Sequence, residues 1–419
     1  MVRFVCIVPL LAAGLAAQTY KYNYDEAKIP AYSLPDPLKM ADGGAVADAA
    51  SWTAKRRPEL LSLFEERVFG RNPAEMRPIR ASEPLVDPRA LKGKAVRKQV
   101  AIYFSDRNDG PHMQLLLYLP PGGAQVPVFL GLNFNGNHTV HADPGILMHD
   151  VWVNDVIDPA KRLHRAPDDR TRGTAGSAWQ IEKILAHGYG VATIYYHDIE
   201  PDFADGAGMG VRSLYPEPER WSAMGAWAWA LSRAADYLRT DPRVDMRRLG
   251  IIGHSRLGKA ALWAAAQDLR FSLVISNESG KGGASPLRRG FGETLDHLNG
   301  AFPNWFAPAY KEYNGHPEKL PVDGNELLAL IAPRPLYVAS AEEDLGSDPK
   351  GEFLSAVSAW RVYLLLGRKD LGIRRMPPVD QPVMHDVGYH VRTGRHDVTE
   401  FDWNQFLTFA DMHWRAAGR

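Results

Sequence analysis

The chain has 419 residues, 45% of them hydrophobic and 23% charged, an ordinary composition for a water-soluble globular protein. Its 49 basic residues balance 49 acidic ones, so no overall field points to nucleic acid or to an anionic membrane, and an acidic substrate must be recognised by a local pocket. The length admits two domains or one large α/β domain with insertions.

Residues 1–17 have the form of a secretory signal peptide. Arg3 supplies the charge, residues 4–15 the apolar core, and Gly14-Leu15-Ala16-Ala17 a small-residue cleavage region. That core is too short to span a bilayer comfortably, and no later segment approaches spanning length, so the mature protein is expected to be soluble and exported. Cys6, the single cysteine, lies inside this leader. The mature chain therefore has neither a disulfide nor a thiol nucleophile, and its stability must come from packing.

Residues 18–50 are polar and proline-bearing, an extended lead-in. A helix is predicted over residues 57–70: Pro58 suits the first turn, Gly70 suits the end, and Leu60, Leu61, Phe64 and Val68 recur at helical spacing. Strands are expected over residues 99–104 and 113–119, with a turn at Asn108-Asp109-Gly110 between them. The continuous apolar run over residues 126–133 marks a strand buried on both faces. A helix over 179–187, a strand over 190–196 and an amphipathic helix over 221–239 follow, and then a short apolar run from Leu249 to Ile252. Beyond it come strands over 271–276 and 335–341 and helices over 352–366 and 403–415. This alternation predicts a mostly parallel sheet with helices on both faces and an antiparallel hairpin at its start, forming one domain over residues 18–419. Residues 139–177 and 282–326 break the rhythm. Both are long and rich in Pro, Gly, His, Asp and Arg, as expected of loops that wall a binding site.

The chemistry centres on Gly253-His254-Ser255-Arg256-Leu257-Gly258-Lys259. Strand, tight turn with a serine at its apex, then helix is the layout of a nucleophile elbow, although the second glycine falls at 258 instead of 257. The same letters read as a phosphate-cradling loop, but Ala260 stands where that motif needs a hydroxyl for Mg²⁺. A serine nucleophile needs a base and an acid behind it, in the chain order Ser, Asp/Glu, His for an α/β-hydrolase. His396, in a glycine-bearing loop before the closing helix, is the expected base; His390, between Tyr389 and Val391, is expected to be structural. The acid is Asp344, after the strand over 335–341, or Glu278, after the strand over 271–276, and spacing leaves that choice open. Arg256 and Lys259 put two cations beside the serine, which suits a densely polar substrate or a developing oxyanion.

These residues resemble the glucuronoyl esterases, carbohydrate esterase family fifteen, with His254 where other members have Cys. The likeness extends through Asn133-Phe134-Asn135-Gly136-Asn137-His138-Thr139, Asn277-Glu278-Ser279-Gly280, Gly292-Glu293-Thr294, Glu342-Glu343-Asp344-Leu345 and Gly394-Arg395-His396-Asp397. It implies an α/β-hydrolase three-layer sandwich, Ser255 as nucleophile, His396 as base, and Glu278 and Asp344 as acids. Arg256 would stabilise the oxyanion, and Lys259 and Glu293 would bind hydroxyls of the uronoyl ring. Gly346 departs from the pattern, because many relatives have there a Trp that packs on the sugar. The implied reaction is hydrolysis of esters between 4-O-methyl-glucuronoyl groups of glucuronoxylan and lignin alcohols, by a monomer without metal or other cofactor and with no nucleic-acid or membrane partner. His138, His141 and Asp143 imitate a metal cluster but read as ordinary loop residues. Asn137 and Asn277 head glycosylation sequons that fall where the site should lie. The competing readings are another carbohydrate esterase such as an acetyl xylan esterase, a nucleotide-binding protein using residues 253–259, and an inactive carbohydrate-binding protein.

Overall fold

The computed structural model describes residues 20–73, 78–154, 162–215, 217, 220–369 and 371–415; the expected signal peptide at residues 1–17 lies outside them. Among the described residues no helix is long and apolar enough to cross a membrane.

The strands are β1 (Arg80–Ala81), β2 (Leu85–Ala90), β3 (Ala95–Tyr103), β4 (His112–Leu119), β5 (Val126–Asn133), β6 (Val151–Asn154), β7 (Arg162–Arg165), β8 (Gly190–Tyr195), β9 (Val244–His254), β10 (Phe271–Asn277), β11 (Leu336–Ala341), β12 (Val383–Met384) and β13 (Val387–Arg392). Eleven of them form one sheet in the order β1-β3-β4-β8-β5-β9-β10-β11-β13-β12, with β2 also on β3. From β8 to β13 along that order every pair is parallel, whereas β3 and β4 form the antiparallel start that the Asn-Asp-Gly turn predicted. The main helices are α1 (Arg57–Phe64), α2 (Ile181–Ala186), α3 (Ala223–Leu238), α4 (Arg256–Gln267), α5 (Leu295–Ala301), α6 (Gly324–Ala329), α7 (Pro349–Leu365) and α8 (Glu400–Trp414).

The two-residue period of a strand sorts the core into two layers. Val128, Leu130 and Leu132 of β5 join the cluster built with Trp227, Leu231, Leu257, Leu262 and Phe353 of α3, α4 and α7. Phe129, the intervening residue, joins Ile252, Ile275 and Tyr337 against Trp403, Phe406, Phe409 and Trp414 of α8. Every residue of β5, β8 and β11 is buried, as parallel strands covered on both faces must be. The result is the three-layer α/β sandwich that the element order implied.

Two local expectations are corrected and one element is added. The helix expected over 57–70 belongs to a longer helical run over 49–69, whose start is capped by Asp48 accepting from Ser51 N at 2.7 Å. Pro58 is not its opening turn; the wider π turn at Trp52–Arg56 precedes it and absorbs the missing N–H. The helix expected over 179–187 is interrupted by Gln180 at φ 43°, which separates Gly176–Trp179 from α2. The segment around His390, for which no strand was predicted, is β13, a fully buried strand paired with β11. Its mixed sequence hides this, because its polar side chains are satisfied inside the protein. His390 Nε2 donates to Asp402 Oδ1 at 2.8 Å and accepts at Nδ1 from Tyr337 OH at 2.9 Å, which is the structural role expected of it. The two long irregular stretches carry the β6–β7 ribbon and α5, respectively.

Asp402 also accepts from Arg392 Nε at 2.8 Å and caps α8 through Thr399 N at 2.7 Å. Asp402→Ala would leave a buried guanidinium and a buried imidazole short of partners, so a loss of about 3–5 kcal/mol is expected in denaturant unfolding. A loss under about 1 kcal/mol would show that the network carries no such load.

Candidate active site

Ser255 sits where β9 turns into α4, at φ 55° and ψ −130°. That is a strained conformation for a residue with a Cβ, held by its surroundings. Its N–H donates to Asn277 O at 2.9 Å, while Gly258 N and Lys259 N donate to Ser255 O at 2.9 and 3.2 Å. The glycines follow from crowding. A Cβ on Gly253 would lie 2.1 Å from Leu257 O, and one on Gly258 would lie 3.0 Å from both Gly253 O and Ser279 Cβ. Position 258, not 257, faces the strand and the neighbouring loop, which explains the shifted motif. With these loop N–H groups engaged and Lys259 Nζ donating to Ser279 O at 2.6 Å, the segment is an elbow and not a phosphate cradle.

One strand over, Glu278 directly follows β10 at φ 47°, a second strained non-glycine residue. Its backbone N–H donates to Ala339 O at 2.7 Å. Its carboxylate is buried and accepts from Arg392 Nη2 at 2.7 Å and Asp397 N at 3.1 Å. His396 follows β13, and its Nδ1 lies 2.6 Å from Asp344 Oδ2 and 3.0 Å from Glu278 Oε2. Ionised carboxylates only accept, so Nδ1 carries a proton, and in the neutral ring Nε2 has a free lone pair. Both candidate acids therefore meet the one candidate base. Burial favours the neutral ring, but the bonds to Asp344 and Glu278 outweigh it and push His396 up to about 10. Burial pushes Glu278 up to about 7, against the pull of His396 and Arg392. Asp344 goes the other way: burial opposes its charge, and His396 with Ser347 holds it below the usual carboxylate range.

Ser255, Arg256 and His396 line one cavity of about 480 Å³ at the C-terminal edge of the sheet, with Phe134, Trp179, Val398 and Trp403 supplying apolar walls. Arg256 Nη1 donates to Asp202 Oδ2 at 2.6 Å, and its guanidinium lies 4.6 Å from the Trp305 ring centre. Its Nε is buried without a hydrogen-bond partner among the described residues. Lys259 and Glu293 do not line this cavity. Lys259 is buried, which lowers its pKa against the nearby charge of Glu293. Glu293 N donates to Gly346 O at 3.0 Å, and a Cβ on Gly346 would lie 3.7 Å from Asp344 Oδ1 and 3.9 Å from Glu293 Cγ.

Asp202, which holds Arg256 and also accepts from Trp305 Nε1 at 2.7 Å and Asn304 Nδ2 at 3.0 Å, was not singled out by sequence reasoning. Nor was Arg392, which fixes Glu278. Their signal was positional: both follow or end strands of the parallel half, where sites in such sheets form. His138, His141 and Asp143 do not converge. His138 Nε2 is 2.7 Å from Thr171 Oγ1, and Asp143 accepts from Tyr118 OH at 2.6 Å and pairs with Arg97. The metal-type group that does converge among the described residues is His254, Glu278 and His396. Those donors are engaged: His254 Nδ1 accepts from Asn277 Nδ2 at 3.0 Å, and Glu278 pairs with Arg392. Asn137 and Asn277 are both buried, so neither sequon presents its side chain to solvent.

A family model described as "Glucuronyl esterase, fungi" matches residues 178–367. The chain is 46% identical over 405 residues to carbohydrate esterase MZ0003 of an unknown prokaryotic organism, covering 95% of this chain and 93% of that one. It is 31% identical over 373 residues to 4-O-methyl-glucuronoyl methylesterase 1 of Wolfiporia cocos, covering 87% and 78%. The solved glucuronoyl esterase from Solibacter usitatus superposes with a TM-score of 0.88 at 52% identity, over 93% of this chain and all of that one. The α/β-hydrolase sandwich, its serine elbow and relatives that match nearly end to end place this chain among the glucuronoyl esterases of carbohydrate esterase family fifteen, as a carboxylic ester hydrolase.

Proposed function

We propose that the enzyme hydrolyses esters joining (4-O-methyl-)glucuronoyl groups of glucuronoxylan to lignin alcohols, through an acyl-enzyme on Ser255. Ser255 Oγ attacks the carbonyl carbon and gives its proton to His396 Nε2. Arg256, through its guanidinium and its backbone N–H, stabilises the oxyanion, with Asp202 and Trp305 fixing its orientation. The intermediate collapses, and the alcohol leaves with the proton from His396. A water activated by His396 then attacks the acyl carbon and frees the uronic acid. Lys259 keeps two of its three N–H donors after bonding Ser279 O, and with Glu293 it binds the sugar hydroxyls. The apolar walls at Trp179, Val398 and Trp403 suit the alcohol portion. The reading needs no metal or other cofactor. The observation that carries it is the double carboxylate contact on His396 Nδ1, on a ring that borders the cavity of Ser255.

The signal peptide over residues 1–17 directs export, residues 18–419 act as a single catalytic domain, and the enzyme works as a monomer. The fungal relative's name supports the substrate class. Hydrolysis of methyl and benzyl glucuronate, compared with release of acetate from acetylated xylan, tests it. Glucuronate esters are expected to be cleaved and acetyl groups left in place; robust deacetylation without glucuronate cleavage would replace this reading with an acetyl xylan esterase.

A further inference from the structure

The lead-in carries a repeat that the chemistry above leaves unused, Tyr20-Lys21-Tyr22-Asn23-Tyr24. On an extended backbone residues two apart point the same way, so the three rings share one side. The structure docks this segment on the rim of the site. Gly292 N donates to Asn23 O at 2.9 Å, Asn23 Nδ2 donates to Gly290 O at 3.3 Å, and Asn23 pairs with Gly292 as an antiparallel bridge. The anchor is thus the residue next to Glu293, whose own N–H reaches Gly346 O on the loop that bears Asp344. Tyr20 and Tyr22 pack on His297 with ring centres 5.0 and 5.3 Å away, and Tyr24 packs on Phe291 at 6.1 Å. The rings are therefore held in place, yet Tyr22 is 37% and Tyr24 50% exposed, with their centres 6.0 Å apart. Between this ledge and Asp344, Gly346 raises no side chain.

An anchored pair of exposed aromatic rings needs an occupant whose flat faces are apolar and whose edges are polar. A pyranose is such a group. Its axial C–H bonds carry partial positive charge toward the negative ring face, and its equatorial hydroxyls meet the phenol oxygens and water. Burying either ring face against it also removes apolar area from water. We propose that Tyr22 and Tyr24 form a stacking subsite for xylose units of the main chain neighbouring the unit that carries the uronoyl group. This inference rests on the substrate class proposed above, and places the polysaccharide on the Glu293 side of the site, away from the cavity walls at Trp179 and Trp403.

The test uses the full-length enzyme and two benzyl esters, one of glucuronic acid alone and one of a glucuronoyl-substituted xylotriose. In Tyr22→Ala and Tyr24→Ala the KM for the xylotriose ester, divided by the KM for benzyl glucuronate, is expected to rise about fivefold, with Tyr24→Phe restoring the ratio. A ratio that stays constant in both alanine variants would overturn the proposal, whatever happens to the absolute rates. Retardation of the enzyme in a gel containing glucuronoxylan reads the same subsite without turnover. It is expected to weaken in the alanine variants, and equal retardation would again overturn it. If the unmodified enzyme cleaves neither benzyl ester, the substrate reading fails, and the gel alone decides whether the tyrosines hold a xylan chain.

Discussion

Ser255→Ala is expected to lower kcat on benzyl glucuronate by about 10⁴- to 10⁶-fold while leaving the thermal midpoint unchanged. The size of the loss follows from the absence of a substitute. Among the groups lining the cavity no cysteine or second activated hydroxyl stands beside His396, and the single cysteine of the sequence, Cys6, lies outside the described residues. The fold should not notice. Alanine keeps the Cβ, so the strain of φ 55° is neither relieved nor increased, and the backbone bonds from Ser255 N to Asn277 O and from Gly258 N to Ser255 O survive intact. Circular dichroism melts and initial-rate assays on the same preparation separate the two effects. A variant that keeps activity within about tenfold of the parent would mean that water, not Ser255, attacks the ester.

The strained backbone at Ser255 has a partner in Glu278 at φ 47°, on the adjacent strand. Non-glycine residues at positive φ cost stability and persist where surrounding contacts over-determine them. Here both cap neighbouring parallel strands, and each is tied by its N–H to the next strand outward, Ser255 to Asn277 and Glu278 to Ala339. The proposed nucleophile and one of its proposed acids are thus set by the same staircase of strand ends, which keeps their spacing independent of the long surface loops.

Sequence patterns reached the parallel core because β5, β8 and β11 are buried on both faces and read as mostly apolar runs. They did not reach β13, whose His390 and Arg392 are polar but paired inside with Asp402 and Glu278. A buried polar strand has no hydrophobic period to read. The same reason hides Asp202: its role depends on Arg256 and Trp305 arriving from distant segments, 54 and 103 residues away in the chain. Ser255 and His396 were legible from motif and chain order. Order alone left Asp344 and Glu278 as alternatives, because distance to a shared nitrogen is a property of the folded sheet. The structure brings both to His396.

That shared nitrogen gives the second large effect. Asp344→Asn and Glu278→Gln are each expected to keep partial activity, with losses of about 10- to 100-fold, whereas the double variant is expected to lose about 10⁴-fold. Each carboxylate alone can hold Nδ1–H and steady the imidazolium; with both gone the ring is free to take the wrong tautomer. The pH profile distinguishes their shares. His396 must be neutral to accept the serine proton, so activity falls as pH drops through its pKa. That pKa is raised, burial notwithstanding, by its bonds to Asp344 and Glu278, so the acid limb of kcat/KM is expected above the ordinary histidine value of about 6.5. Removing either negative charge lowers the pKa and moves the limb to lower pH. Asp344 is held ionised, whereas burial pushes Glu278 up to about 7 and leaves it partly protonated near neutrality. Asp344→Asn should therefore move the limb further than Glu278→Gln. Complete loss in one single variant with none in the other would show that only one carboxylate serves His396, and a limb that moves to higher pH would show that neither raises its pKa.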